Sequence, residues 1–300
     1  MRGINFGNVL DHLGDDSPRL PLRDEHFDSV RAAGFDTVRL PARWSAHAGH
    51  AAPHTIEPGF FRRVDQAVDA ALRRGFTVVL NVHHYHELQE APQEHATRFV
   101  ALWRQIAEHY AGHDARLLFE LLNEPRDALT ARLWNQLLRE GLAAVRAHDR
   151  ERTVIVGSAR MNDVDALPEL ALPADEHLMA TVHYYAPFEF THQGAPWVPG
   201  AARWLGTTWG DDADRQRVRD DLEKAARWAD EQGVSLFIGE FGAYMEADEE
   251  SRVRWTSFVR AEAERLGSGW CYWDFGTDFG AFDPRSGTWR EPLLRALLPS

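Results

Sequence analysis

The chain has 300 residues, 44% of them hydrophobic and 26% charged, a composition that suits a globular chain with a sizeable core, either one large barrel or two ordinary domains. Its formal net charge is −13 at pH 7, with arginines scattered among acids and no basic patch, so nucleic acid is excluded as an expected partner. A single cysteine, Cys271, excludes an intrachain disulfide and the cysteine-based zinc patterns, and reads as a small buried strand residue.

Taken in chain order, short apolar runs alternate with longer amphipathic ones. Residues 3–8 (GINFGN), 37–43 (TVRLPAR), 77–83 (TVVLNVH) and 117–123 (LLFELLN) are the first four predicted strands. Residues 153–159 (TVIVGSA), 178–185 (LMATVHYY), 235–241 (SLFIGEF) and 269–275 (GWCYWDF) are the second four. All are rich in Val, Ile, Leu, Phe and Tyr, the mark of parallel strands buried on both faces. The segments between them carry helical spacing, as in 24–35, where Phe27, Val30 and Ala33 share a face, and in 59–76, 97–112 and 131–148. Gly34 and Gly75 stand where helix C-caps belong, each just ahead of a strand. Eight strand-then-helix units without a linker or low-complexity tract predict a single (β/α)8 barrel over 1–300. Neither a dinucleotide-binding glycine pattern nor a phosphate-binding loop occurs. Met1-Arg2 runs directly into strand one with no signal-like apolar stretch, and no window approaches the roughly 18 apolar residues of a membrane span. No membrane association is expected, and the compartment is left open between cytoplasmic and a trimmed secreted protein.

In such a barrel the active site lies at the C-terminal ends of the strands, so polar residues that close apolar strands carry the functional information. Here they recur as Arg39, His83-His84-Tyr85, Asn123-Glu124-Pro125, His183-Tyr184-Tyr185, Glu240-Phe241-Gly242 and Trp273. Two carboxylates from facing strands, without cysteine, suit acid/base and nucleophilic work on an acetal. Whether configuration would be retained or inverted depends on their separation, which spacing does not give. A metal site is not expected, since His83 and His84 as strand neighbours should point opposite ways.

The motifs RGINFGN, VRLP, NVHHY, FELLNEP, TVHYY, IGEFG and YWDFG, in that order along the chain, resemble those of glycoside hydrolase family 5, the cellulase-type (β/α)8 hydrolases. The segment 184–197 resembles its thermophilic bacterial endoglucanase/mannanase members in particular. The resemblance implies that Glu124 is the acid/base and Glu240 the nucleophile, with Glu124 the carboxyl whose proton affinity is pushed up. It implies that Arg39 and Tyr185 hold Glu240 ionised, that Asn123 donates to the substrate 2-OH and that His183 orients Glu124. By the same resemblance His83, His84, Asn8 and Asp11 bind glycone hydroxyls, Asp11 standing where close relatives carry the longer Glu. Trp273 becomes the platform under the reacting sugar.

The long aromatic segment 186–210 is expected to be the sixth βα loop, with His192 and Trp197 as sugar contacts ahead of Trp204 and Trp209. The implied partner is a β-1,4-linked polysaccharide or oligosaccharide, cut internally by a monomer without cofactor, glucan first and mannan or glucomannan second. An exo-acting β-glucosidase or a strict β-mannanase is the nearest alternative. A metal-dependent barrel hydrolase and a non-catalytic sugar-binding barrel are more distant ones.

Overall fold

In the computed structural model, which describes residues 1–12 and 20–299, the eight apolar runs form β1 (Arg2–Asn5), β2 (Thr37–Leu40), β3 (Thr77–Asn81), β4 (Leu117–Glu120), β5 (Val154–Gly157), β6 (Leu178–Tyr184), β7 (Ser235–Phe241) and β8 (Gly269–Tyr272). They pair in sequence order, all parallel, and β8 closes on β1 to make a barrel. Most strands are shorter at their C-terminal ends than the apolar runs suggest, because the last residues of each run leave the ladder and build the loops of one rim.

Alternation along each strand sorts the side chains. Ile4, Val38, Leu40, Val78, Leu80, Leu117, Phe119, Val154, Val156, Ala180 and Val182 face outward and merge with the helices into one core. Val79, Leu118, Ile155, Phe237 and Cys271 form a separate apolar cluster with Met1 and Met179, which fills the lumen toward the strands' N-terminal ends. Gly3 is needed in that layer, where a Cβ would stand 2.2 Å from the Cys271 sulfur. The polar inward residues Asn5, Arg39, Asn81 and Glu120 are all fully buried and form the next layer, under the site.

Each long helix lays an apolar stripe on the barrel. Pro58–Arg73 buries Phe60, Val64, Ala67, Val68 and Ala71, opening on a proline that its free first-turn N–H positions tolerate. Pro92–His109 buries Phe99, Leu102, Trp103 and Ile106 by the same spacing. The helix Asp24–Ala33 ends on Gly34 in the left-handed region (φ 108), as its position before β2 predicts. Among the described residues, no helix is long and apolar enough to cross a membrane.

The loops at the strands' C-terminal ends hold several non-glycine residues with positive φ: Asn8, His84, Glu124, Arg160, Met161 and Asn162. Backbone in this region costs energy and persists only where its surroundings over-determine it, as at functional sites.

Candidate active site

The floor of the site is built on Arg39. Its guanidinium is fully buried and makes a bidentate pair with Glu120, Nε to Oε2 at 2.6 Å and Nη2 to Oε1 at 2.7 Å. Its remaining donors reach Glu240 Oε1 (2.6 Å), Asn5 Oδ1 (2.9 Å) and Asn123 Oδ1 (2.7 Å). One cation thus ties β1, β2, β4 and β7 together, and every bond is charge-assisted. Glu120 escaped the sequence reading; its signal was a lone acid inside the apolar run LLFELLN.

Above the floor stand Glu124 and Glu240 with His183 between them. His183 Nδ1 lies 2.8 Å from Glu124 Oε1 and 3.5 Å from Glu240 Oε2. One oxygen of each carboxylate and a His183 nitrogen all fall within 4.8 Å of one another. Tyr185 donates its hydroxyl to Glu240 Oε2 at 2.9 Å, and Arg126 Nη1 donates to Glu124 Oε2 at 3.2 Å. Burial raises the pKa of Glu240, and Glu124 adds to this, against the pull of His183 and Arg39. Burial also acts upward on Glu124, but the His183 hydrogen bond and charge, then Arg126, bring it below the ordinary value. Burial would lower His183, yet Glu240 and Glu124 outweigh it and the imidazole is raised. Glu124 is therefore the lowered carboxyl of the pair and Glu240 the raised one, the reverse of the expectation. His183 is the main reason, and Arg126 is a further cation on Glu124 that the motifs did not point to.

The walls enclose a cavity of about 750 Å³ lined by Asn8, His83, His84, Asn123, Glu124, Tyr185, His192, Trp197, Glu240 and Trp273, so these expected residues do converge. Arg39 and His183 support it from below. Trp273 follows β8 and stacks parallel to His83, centroids 5.8 Å apart. Gly7 makes room for the indole, since a Cβ there would come within 2.7 Å of it. Asn123 is anchored through its oxygen to Arg39, which leaves its amide N–H groups for a ligand. Asn8 donates to Thr277 Oγ1 at 3.0 Å, and Thr277 in turn donates to the buried Asp274.

In the sixth βα loop, His192 stacks on Phe188 at 4.0 Å while Trp197, half exposed, stands edge-on to Tyr244. Trp204 packs edge-on against Phe188, and Trp209 is buried beside Phe258; neither lines the cavity. Arg126, Met161 and Phe188 line it without having been singled out from sequence. Asn162, held in the left-handed region, reaches His183 Nε2 at 3.3 Å from behind.

His83 and His84 do not point opposite ways. β3 ends at Asn81, and His84 takes φ 50, so pleat alternation no longer governs the pair. Both rings line the cavity, and both direct Nε2 at Asp11 Oδ2, from 3.9 and 3.6 Å. Asp11 itself is buried beneath them rather than on the wall, with Oδ1 accepting from the Val9 N–H at 3.1 Å. Burial lifts Asp11 to about 7 and drops His84 to about 3.

A closed parallel barrel carrying two carboxylates, a buried arginine and an aromatic platform at its C-terminal rim is the architecture of a sugar-cleaving barrel hydrolase. The family model for cellulase (glycosyl hydrolase family 5) matches residues 10–278, and the chain belongs to that family. It is a glycoside hydrolase. Endoglucanase H of Acetivibrio thermocellus is 34% identical over 281 residues, 94% of this chain, but the chain spans only 30% of that relative's length. Thermotoga maritima Cel5A, solved in complex with mannotriose and with cellobiose, is 44% identical with a TM-score of 0.97 in both cases, each alignment covering 99% of this chain and 97% of the other.

Proposed function

We propose that the chain is a retaining endo-β-1,4-glucanase that also accepts β-mannan or glucomannan, with residues 1–300 forming one catalytic domain. The observation that carries the reading is the closeness of the two carboxylates: one oxygen of each lies within 4.8 Å of the other. Inverting hydrolases need about 6.5–9.5 Å so that a water fits between, whereas retaining ones stand about 5–5.5 Å apart.

In this reading Glu240 attacks the anomeric carbon while the glycosidic C–O bond breaks and Glu124 gives a proton to the leaving oxygen. Water then enters, Glu124 removes its proton, and the hydroxyl displaces Glu240 from C1, so two inversions return the β configuration. Arg39 and Tyr185 each aim a donor at one Glu240 oxygen, which orients the attacking lone pair. His183 orients the Glu124 carboxyl through the 2.8 Å contact between its Nδ1 and Glu124 Oε1. The Asn123 amide meets the sugar 2-OH, a contact that strengthens as charge develops in the transition state. Trp273 offers its face to the C–H face of the reacting sugar, and Trp197 extends the aromatic surface outward.

Glucose and mannose differ in the orientation of O2. The T. maritima relative has been solved with both a cellobiose and a mannotriose ligand, which supports a tolerant site here. The test is kcat/KM on soluble β-glucan and β-mannan, with the product anomer followed by NMR. Activity on both with β product is expected; α product would overturn the retaining mechanism, and glucose as the sole early product would favour exo action. Separately, Glu240→Ala should lose nearly all turnover and form an α-glycosyl azide with added azide. Absence of that adduct would remove Glu240 as nucleophile.

A further inference from the structure

We propose that Asp11, His83 and His84 form a site for a borderline transition-metal dication, with Zn²⁺ as the type, and that a metal seated there blocks substrate. Two imidazoles and a carboxylate are a zinc donor set, with the fourth position open to water. One donor atom from each residue lies within 4.8 Å of the other two. In a tetrahedral site with bonds of about 2.0–2.1 Å, neighbouring donors stand about 3.3 Å apart. The two histidine Nε2 atoms lie 3.6 and 3.9 Å from Asp11 Oδ2, too far for hydrogen bonds and within a few tenths of an ångström of ligation.

Asp11 Oδ2 is the decisive atom. Asp11 is 1% exposed, and this oxygen has no hydrogen-bond partner among the described residues, although it is aimed between two imidazoles. A buried carboxylate oxygen left unpaired is costly, and a cation is what such an atom accommodates best. Support for His83 as a ligand needs one rearrangement. The Asn81 side-chain amide lies 3.0 Å from His83 Nδ1. Turning it over, with loss of its 3.3 Å bond from the Ala42 N–H, would set its carbonyl on Nδ1–H and free Nε2 as a ligand.

The other group of suitable spacing, Glu124, His183 and Glu240, differs in that its donors are already engaged by Arg39, Tyr185, Arg126 and one another. Because His83 and His84 line the same cavity as Trp273, a metal with its waters would occupy space that a sugar needs. The metal is thus an inhibitor, not a cofactor. Only this consequence rests on the glycanase reading; the binding itself does not.

The experiment is calorimetric titration of the full chain with Zn²⁺ in a non-coordinating buffer, for wild type, Asp11→Asn, His84→Ala and Glu240→Gln, beside inhibition kinetics on soluble β-glucan. One strong site is expected in wild type, weakened at least tenfold in Asp11→Asn and His84→Ala and retained in Glu240→Gln, with inhibition competitive and reversed by EDTA. Unchanged affinity in both cleft variants, loss in Glu240→Gln, or no binding at millimolar Zn²⁺ would each overturn the site. Should Asp11→Asn fail to fold, the less buried His84→Ala, checked by circular dichroism, decides alone. A chain inactive on glucan and mannan would sink the glycanase reading and leave the calorimetry standing.

Discussion

Glu240 stands opposite His183 only because the β6–β7 register slips by one residue: Val182 pairs with Ile238, but His183 pairs with Glu240. Phe237 faces the lumen and Ile238 the helices, so strict alternation would send Glu240 outward. Gly239 absorbs the extra residue as a bulge, with its carbonyl held by the Asn5 amide at 3.0 Å. The second carboxylate enters the lumen through that irregularity.

Gly239→Ala tests this. A Cβ there would meet Thr181 Oγ1 at 2.8 Å and His183 Nε2 at 3.1 Å, so His183 has to give way. Overpacking of this kind costs about 1–3 kcal/mol of stability, and a displaced His183 should cut kcat about tenfold or more. Thermal melting and kcat on an aryl β-cellobioside measure the two effects. An alanine variant with full kcat would mean that His183 is not held by this contact.

The Arg39–Glu120 pair has no side-chain exposure at all. Glu120→Ala should destabilise the barrel by about 3–5 kcal/mol, because the Arg39 charge is left partly uncompensated in the interior. Glu120→Gln, which keeps the shape and one acceptor, should lose less. Denaturant unfolding of both variants checks the order. Equal losses would show that packing, not charge, is what Glu120 supplies.

The barrel was legible in the sequence because parallel strands buried on both faces advertise themselves as apolar runs, and polar residues ending such runs can converge only at one rim. That logic finds Glu124, Asn123, His183, Tyr185 and Trp273 at the cavity or directly beneath it. It fails where the backbone leaves its regular period. The His84 side chain is re-aimed by a positive φ, and Glu240 by a one-residue slip, neither of which changes composition. Glu120 and Asn5 were hidden for a different reason: they are inward residues inside strands, where a lone polar side chain looks like noise until its partner across the lumen is known. Asp11 shows the converse, a residue expected on the wall that lies under it.

After His183, Arg126 is the group that most lowers Glu124. The groups facing Glu124 are His183, Arg126, His84, His192, Tyr185 and Glu240, and of these Arg126 is the permanent cation at 3.2 Å. It favours the ionised carboxylate, so it favours early loss of the proton that glycosylation needs. In Arg126→Ala the pKa of the His183–Glu124 pair should rise, and the alkaline limb of kcat/KM should move to higher pH. The expected direction is upward, and the effect is modest because Arg126 is partly exposed. The apparent value belongs to the pair rather than to either residue. A pH profile on an aryl glycoside reads this directly, and an unmoved alkaline limb would remove Arg126 from the titration.

Asp274 carries a pH-dependent cost. It is fully buried next to Trp273, and burial lifts its pKa to about 7 against the hydrogen bonds from Thr277. The folded state therefore holds a proton that the unfolded chain, at the ordinary value of 3.8, has already released. The folded state binds more protons, so stability falls as pH rises between those two values and is flat above them. Each unit of pH in that window costs at most about 1.4 kcal/mol. Asp274→Asn cannot ionise and keeps an acceptor for the Thr277 N–H. Its stability relative to wild type should grow from pH 4.5 to pH 7 and then level off, as read by guanidinium unfolding at several pH values. A constant difference across that range would mean that Asp274 is ionised throughout, its charge held by the Thr277 loop rather than suppressed by burial.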